Sequence, residues 1–211
     1  MSSLKQPLVC VNKCAFGGNQ AWFAEKFMKK VGCGVISAAN LLIHLQGKDH
    51  LTEKEYMEFA KKIWLRYFPV FPGFGMNGLT LMFGLNRYFQ KEKLPYRAFW
   101  AISEKKLLKR VDCMLDKNLP VILAVGPNFP NVFGKKTLNF YIKNSNGNYI
   151  PGVKTKAHYV TVTGRDGLYF QISSWGKEYY IDIREYREYI KDFSSPLVSN
   201  IICVKEKNTV Q

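Results

Sequence analysis

Among the side chains able to act as nucleophiles, one cysteine sits between two glycines at the head of a run rich in Ala and Leu. The motif is Gly32-Cys33-Gly34, followed by Val35-Ile36-Ser37-Ala38-Ala39-Asn40-Leu41-Leu42. A catalytic thiol must be a thiolate at working pH, and the unpaired N–H groups of a helix N-terminus favour that anion. The run predicts a helix from about Cys33 to Leu45, stopped near Gly47, with Cys33 on its first turn. Its flanking glycines are expected to leave the sulfur accessible, and its pKa is expected to be lower than that of the other four cysteines. Small residues beside a cysteine also suit close packing of a buried helix, so the motif by itself is equally compatible with a structural thiol.

A thiol nucleophile needs a base, and the chain offers three histidines. His44 lies on the same helix eleven residues after Cys33, which at 1.5 Å per residue is about 16 Å away and out of reach. His50 falls in the polar connection Gly47-Lys48-Asp49-His50 and is expected to face solvent. His158 remains, at the head of the β-branched and aromatic run Tyr159-Val160-Thr161-Val162-Thr163. An imidazole there can extend from a sheet edge toward a facing helix N-terminus. With Cys33 as nucleophile and His158 as base, the expected chemistry is acyl transfer through a thioester.

The elements that must hold this pair follow from the pattern. Thr52 with Glu55 three residues later makes a capping box that starts a second helix, running to about Tyr67. Pro69 to Gly78 interrupts, Leu79 to Phe89 resumes helical spacing, and Ser103 with Lys106 to Leu115 predicts one more helix ending near Asn118 and Pro120. From Pro120 onward the chemistry is that of strands: Val121–Val125, Tyr159–Thr163, Leu168–Ile172, Tyr179–Ile183 and Val198–Val204, with turns at Arg165-Asp166-Gly167 and Trp175-Gly176-Lys177. Helices first and strands after predict an α+β fold, a helical part over about 20–118 facing a mostly antiparallel sheet over about 120–205, within one domain spanning 1–211.

Composition restricts the function classes. The 211 residues are 47% apolar and 15% aromatic, which excludes a disordered chain. No stretch approaches the roughly 20 apolar residues of a membrane span. The N-terminal residues lack the basic and apolar segments of a secretory signal, and the five cysteines are an odd number in a chain too large to need disulfide staples, so free thiols in the cytoplasm are expected. Cys10 and Cys14 have the spacing of half a zinc site, but no second pair stands at ligand spacing, and neither metal nor other cofactor is expected. The net charge of +15 favours acidic partners or nucleic acid. The lysine pairs at 29–30, 61–62, 105–106 and 135–136 are scattered and accompany no recognition motif, so they read as solvated faces.

A cysteine at a helix start, a histidine opening a later strand, and then Ser173-Ser174-Trp175-Gly176 after a further strand resemble the papain-like cysteine peptidase superfamily. The Gly-Cys-Gly helix and the strand His158-Tyr159-Val160-Thr161-Val162-Thr163-Gly164 are closest to its bacteriocin-processing branch. The resemblance covers roughly 17–46 and 156–191. It implies that Ser173, in place of the family's Asn or Asp, orients His158; Gln171, two residues earlier on the same strand face, is the substitute orienter. It implies Gln20, thirteen residues before Cys33, as the oxyanion donor, although the family's own spacing falls on Phe27. Trp175 is expected to pack over the histidine pair. The substrate implied is a peptide or protein, cleaved at a peptide or isopeptide bond. Two alternatives stay open: transfer of the acyl group to an amine, and a catalytically inactive module of the same fold that binds a peptide or acidic partner.

Overall fold

The computed structural model describes residues 2–12, 14–70, 76–101, 106–128, 131–195 and 197–207. The chain opens with the short strands β1 (Ser2–Ser3), β2 (Cys10–Val11) and β3 (Ala15–Phe16), a 3-10 turn at Gln20–Trp22 and the helix α1 (Lys26–Val31). Then come α2 (Cys33–Leu45), β4 (His50–Leu51), α3 (Glu53–Tyr67), α4 (Gly78–Lys91), β5 (Tyr96–Ala101) and α5 (Leu107–Asp116). The second half holds β6 (Val121–Val125), β7 (Leu138–Lys143), β8 (Tyr149–Thr155), β9 (His158–Asp166), β10 (Tyr169–Ser174), β11 (Lys177–Asp182), α6 (Ile183–Phe193) and β12 (Ile201–Glu206). The large sheet runs β5-β12-β6-β9-β10-β11-β7-β8, antiparallel throughout, with β1 added along β9.

Strand alternation divides the core. On β6, Ile122 joins one hydrophobic cluster, and Val121, Leu123 and Val125 join another; on β12, Ile202 and Val204 go to the first, and Ile201 and Cys203 to the second. Successive side chains leave a strand on opposite faces, so the sheet lies between two packed layers. The first layer is α2, α3 and α4; the second is α5 and α6, through Leu107, Val111 and Leu115 and through Ile183, Tyr186 and Ile190. The expectation of a helical part on one side of a sheet is corrected here: α5 crosses to the opposite face. The part expected to be helical also contributes β5, the edge strand paired with β12.

Residues 34 to 44 of α2 are all buried, because the helix is sandwiched between β9 and α3 and is apolar nearly all round. The Thr52 capping box forms as its spacing predicts, with the Thr52 hydroxyl accepting from the Glu55 N–H at 3.2 Å and the Glu55 carboxylate accepting from the Thr52 N–H at 2.8 Å. Part of the expected break at 69–78, and Ser103, lie outside the described residues. No helix among the described residues is long and apolar enough to cross a membrane.

Candidate active site

Cys33 is the first residue of α2, and Gly32 before it serves both as the end of α1 and as the start of α2. The flanking glycines have a steric reason other than access to the sulfur. A Cβ on Gly32 would lie 2.5 Å from the Met28 carbonyl oxygen, and one on Gly34 would lie 2.8 Å from the Met76 methyl and 3.4 Å from the Tyr159 ring. The sulfur is ringed by main-chain N–H groups, those of Tyr159, Gly34 and Cys33 itself, each of which favours a thiolate. Burial outweighs them and pushes the thiol above its ordinary pKa. The expected depression is therefore reversed: the helix terminus supplies its dipoles, but desolvation at the helix–sheet junction costs the anion more.

The sulfur thus meets β9 at the residue directly after His158. The imidazole itself leaves β9 on the other face, where it stacks on Trp175 at 4.4 Å between centroids and stands 6.3 Å from the Phe140 ring. Its Nε2 is 2.8 Å from the Ser174 hydroxyl. Burial holds its pKa down at about 3, so it is neutral across the physiological range. The other histidines sit where elimination places them away from the thiol: the His44 Nε2 is bonded to the Asn118 carbonyl at 2.9 Å, and His50 is exposed on β4.

Ser173 is not the partner of His158. Its hydroxyl donates to the Phe16 carbonyl at 2.7 Å and accepts from the Asn40 amide at 3.4 Å, while the Gln171 amide donates to Glu178 at 2.6 Å. The reason is register. Gln171 pairs with Gly164 but Ile172 pairs with Val162, so Thr163 is an extra residue on β9 and Ser173 falls opposite Thr161. Without that bulge Ser173 would share the face of His158; with it, Ser174 does.

Trp175 adopts a left-handed backbone, φ +50°, in the two-residue turn Trp175-Gly176 between β10 and β11, where Gly176 has φ +71°. Both values fit the turn type that matches strand twist, and the non-glycine residue there costs about 1 kcal/mol. The conformation sets the indole across the His158 ring. Beside it opens a concavity of about 440 Å³ lined by Asn19, Val153, Lys154, Trp175, Lys177 and Tyr179.

Gln20 is occupied as well. Its side-chain amide donates to the carbonyls of Lys29 at 2.9 Å and Lys30 at 3.3 Å, capping the C-terminal end of α1. The thirteen-residue spacing to Cys33 is taken up by the 3-10 turn and by α1, which folds back over Gln20. An amide with both hydrogens on main-chain carbonyls acts as a cap rather than as a free oxyanion donor. Gln20→Ala is accordingly expected to lower stability by about 1 kcal/mol and to change any turnover rate less than about tenfold, read by denaturant unfolding and initial rates. A loss of about 100-fold with unchanged stability would restore Gln20 as an oxyanion donor.

Asn40, on α2, was not singled out from the sequence. It is buried, accepts from the Gly18 N–H at 3.0 Å and the Tyr56 hydroxyl at 2.7 Å, and donates to Thr161 at 3.2 Å and to Ser173. Its signal was a lone amide inside an apolar helix, a polar group that burial obliges to find partners.

Neither a protein-family model nor a curated protein matches this sequence. Among solved structures the chain is similar to the crystal structure of a Bacillus anthracis protein described as a C39-like peptidase, with a TM-score of 0.51 and 15% identity over 99% of this chain and 100% of that one. The likeness is one of fold. What the two chains share is the α+β architecture with its large antiparallel sheet.

Proposed function

We propose that this papain-like fold forms one domain working as a cysteine hydrolase on peptide or isopeptide bonds, with Cys33 as nucleophile and His158 as base. The observation that carries the reading is Cys33 at the head of α2, with its sulfur against the main chain of Tyr159, the residue that follows His158. His158 is the first residue of β9 and its ring lies on the face opposite the Cys33 contact, so the reading requires the imidazole to swing around the strand end to meet the sulfur. The neutral imidazole would donate from Nε2–H to the Ser174 oxygen and keep the Nδ1 lone pair for the thiol proton. Attack by sulfur on the substrate carbonyl would transfer that proton to Nδ1, which then passes it to the leaving amine. Water would resolve the thioester, returning carboxylic acid and free thiol. The N–H of Cys33 would support the oxyanion. Bacteriocin-processing enzymes are the branch whose strand and helix motifs this site resembles most, and leader-type peptides are therefore the first substrates to try.

In this reading Ser174, not Ser173, orients the base. Ser174→Ala should lower kcat by roughly 10- to 100-fold, less than the ~10⁴ lost when a carboxylate partner is neutralised. Ser173→Ala should leave kcat within about threefold, because its hydroxyl serves the Phe16 segment. Equal losses in both variants would remove Ser174 from the orienting role.

One set of observations favours a second reading, a module that binds peptides in the same cleft without cleaving them. The partner of His158 is a neutral hydroxyl, and burial pushes the thiol up and the imidazole down, both away from the ionised pair. The two readings separate on turnover. Incubation of the protein with peptide thioester, ester and amide probes, with and without an added amine acceptor, should give Cys33-dependent release of acyl product. Binding without release would select the module, and an amide product formed with the acceptor would identify acyl transfer.

A further inference from the structure

The C-terminal ends of α3 and α4 meet around an open concavity of about 630 Å³ whose lining is Arg66, Tyr67, Arg87, Gln90, Lys91 and Lys93. A helix C-terminus attracts a cation, which accounts for Arg66 in the last turn of α3 and Lys91 in the last turn of α4. Arg87 lies a turn earlier than that effect requires. Lys93 lies beyond the helix in a left-handed conformation, φ +52°. None of these four cations has a carboxylate within ion-pair distance among the described residues. The contrast with other arginines is informative: Arg165 grips Asp112 with two bonds, at 2.6 and 2.9 Å, and Arg184 pairs with Asp182 at 2.6 Å. The carboxylate of Glu92 accepts from the hydroxyl of Tyr67, a lining residue, at 3.4 Å.

We infer that this concavity is a binding site for a ligand carrying two or more linked phosphates. Four like charges converging on one hollow repel one another, and an anion seated among them relieves that repulsion. Two guanidinium groups offer the paired donors that match phosphate oxygens, and the lysines add point charges around them. The volume falls in the range of small-molecule sites, large enough for a nucleoside triphosphate. Phe83 and Leu79 are exposed one and two turns before Arg87 on the same stripe of α4, so a phosphorylated lipid headgroup presents the same chemistry at an apolar surface. The inference is independent of the chemistry at Cys33.

The test uses the full chain and needs no turnover. Titration calorimetry with pyrophosphate and with ATP, and sedimentation with phosphatidylcholine vesicles with and without a phosphoinositide, should show saturable binding to at least one phosphate source. The double variant R66E/R87E should weaken it by at least about tenfold. Both arginines are exposed, and a far-UV spectrum and melting curve like those of the parent would show that the variant is folded. The control K109E/K117E makes the same change in charge on exposed lysines of and after α5, and should leave binding within about threefold. Binding to soluble phosphates identifies a free ligand; binding to phosphoinositide vesicles, with the same dependence on the arginines, identifies a headgroup. The proposal is overturned by the absence of saturable binding to any of these probes or by equal losses in both double variants.

Discussion

Replacing Cys33 with Ala is expected to reduce turnover to the uncatalysed background, a loss of about 10⁴-fold or more, because no thioester can form. The fold should persist, since the change removes one sulfur from a helix held by its own apolar surface. The pH dependence should show which form of the pair is at rest. His158 is neutral down to about pH 3, so the base is available throughout the range of the assay and its protonation contributes no acid limb near pH 6. The Cys33 thiol lies above its ordinary pKa, so the thiolate fraction at neutral pH is small and the free protein reacts with iodoacetamide slowly. Its alkylation should rise only in the alkaline range and should lag behind that of the exposed Cys14 at pH 7. Cys203, fully buried with its thiol pushed up to about 12, should remain unmodified until unfolding. Mass-spectrometric mapping of the five thiols against pH decides the matter. If Cys33 were modified first at pH 6, the pair would be thiolate and imidazolium, and substrate-free burial would not control the site.

What the sequence revealed of this arrangement follows the range of the interactions. The capping box at Thr52 and the helix from Cys33 to the residues before Gly47 are decided within a few positions, and they form where the spacing puts them. The strand β5 belongs to a segment with helices on both sides, and its partner β12 lies about a hundred residues later, so its sheet membership has no local mark. The helix α6 did carry a local signal: Asp182 caps it, and Ile183, Tyr186 and Ile190 recur at helical spacing, but the preceding strand chemistry of Tyr179 to Asp182 masked it. The choice between Ser173 and Ser174 was not legible at all. One extra residue at Thr163 exchanges the faces, and a bulge is a property of two paired strands rather than of either sequence. The thiol pKa was misjudged for a related reason: the helix start is local, whereas the burial that overrides it comes from β9 and Tyr159.

Asn40→Ala should be the most damaging single change to stability outside the apolar core. The amide joins four partners from separate parts of the chain, the Gly18 N–H, Tyr56 on α3, Thr161 on β9 and Ser173 on β10. Truncation leaves buried donors and acceptors without counterparts, each costing about 1–3 kcal/mol, and water entering the space recovers part of that, so a net loss near 3 kcal/mol is expected. Adjacent residues cannot close the gap cheaply: a Cβ on Gly18 would lie 2.2 Å from the Tyr56 ring, so that segment already rests at contact distance. Urea unfolding of Asn40→Ala, Ser173→Ala and the double variant tests whether the groups act as one network. A coupling of about 1 kcal/mol or more is expected, and additivity within about 0.5 kcal/mol would reduce Asn40 to a space-filling residue. The network also fixes the site, because the Phe16–Gly18 segment it anchors is bonded to the turn that carries Trp175, from the Phe16 N–H to the Gly176 carbonyl at 2.9 Å and from the Gly176 N–H to the Gly18 carbonyl at 3.0 Å. Freed from Asn40, which accepts from the Gly18 N–H, that turn loses part of what holds the indole in its left-handed backbone over His158. Turnover by Asn40→Ala should therefore fall at temperatures where the variant is still fully folded, and a rate unchanged under those conditions would show that Trp175 is held by the hairpin alone.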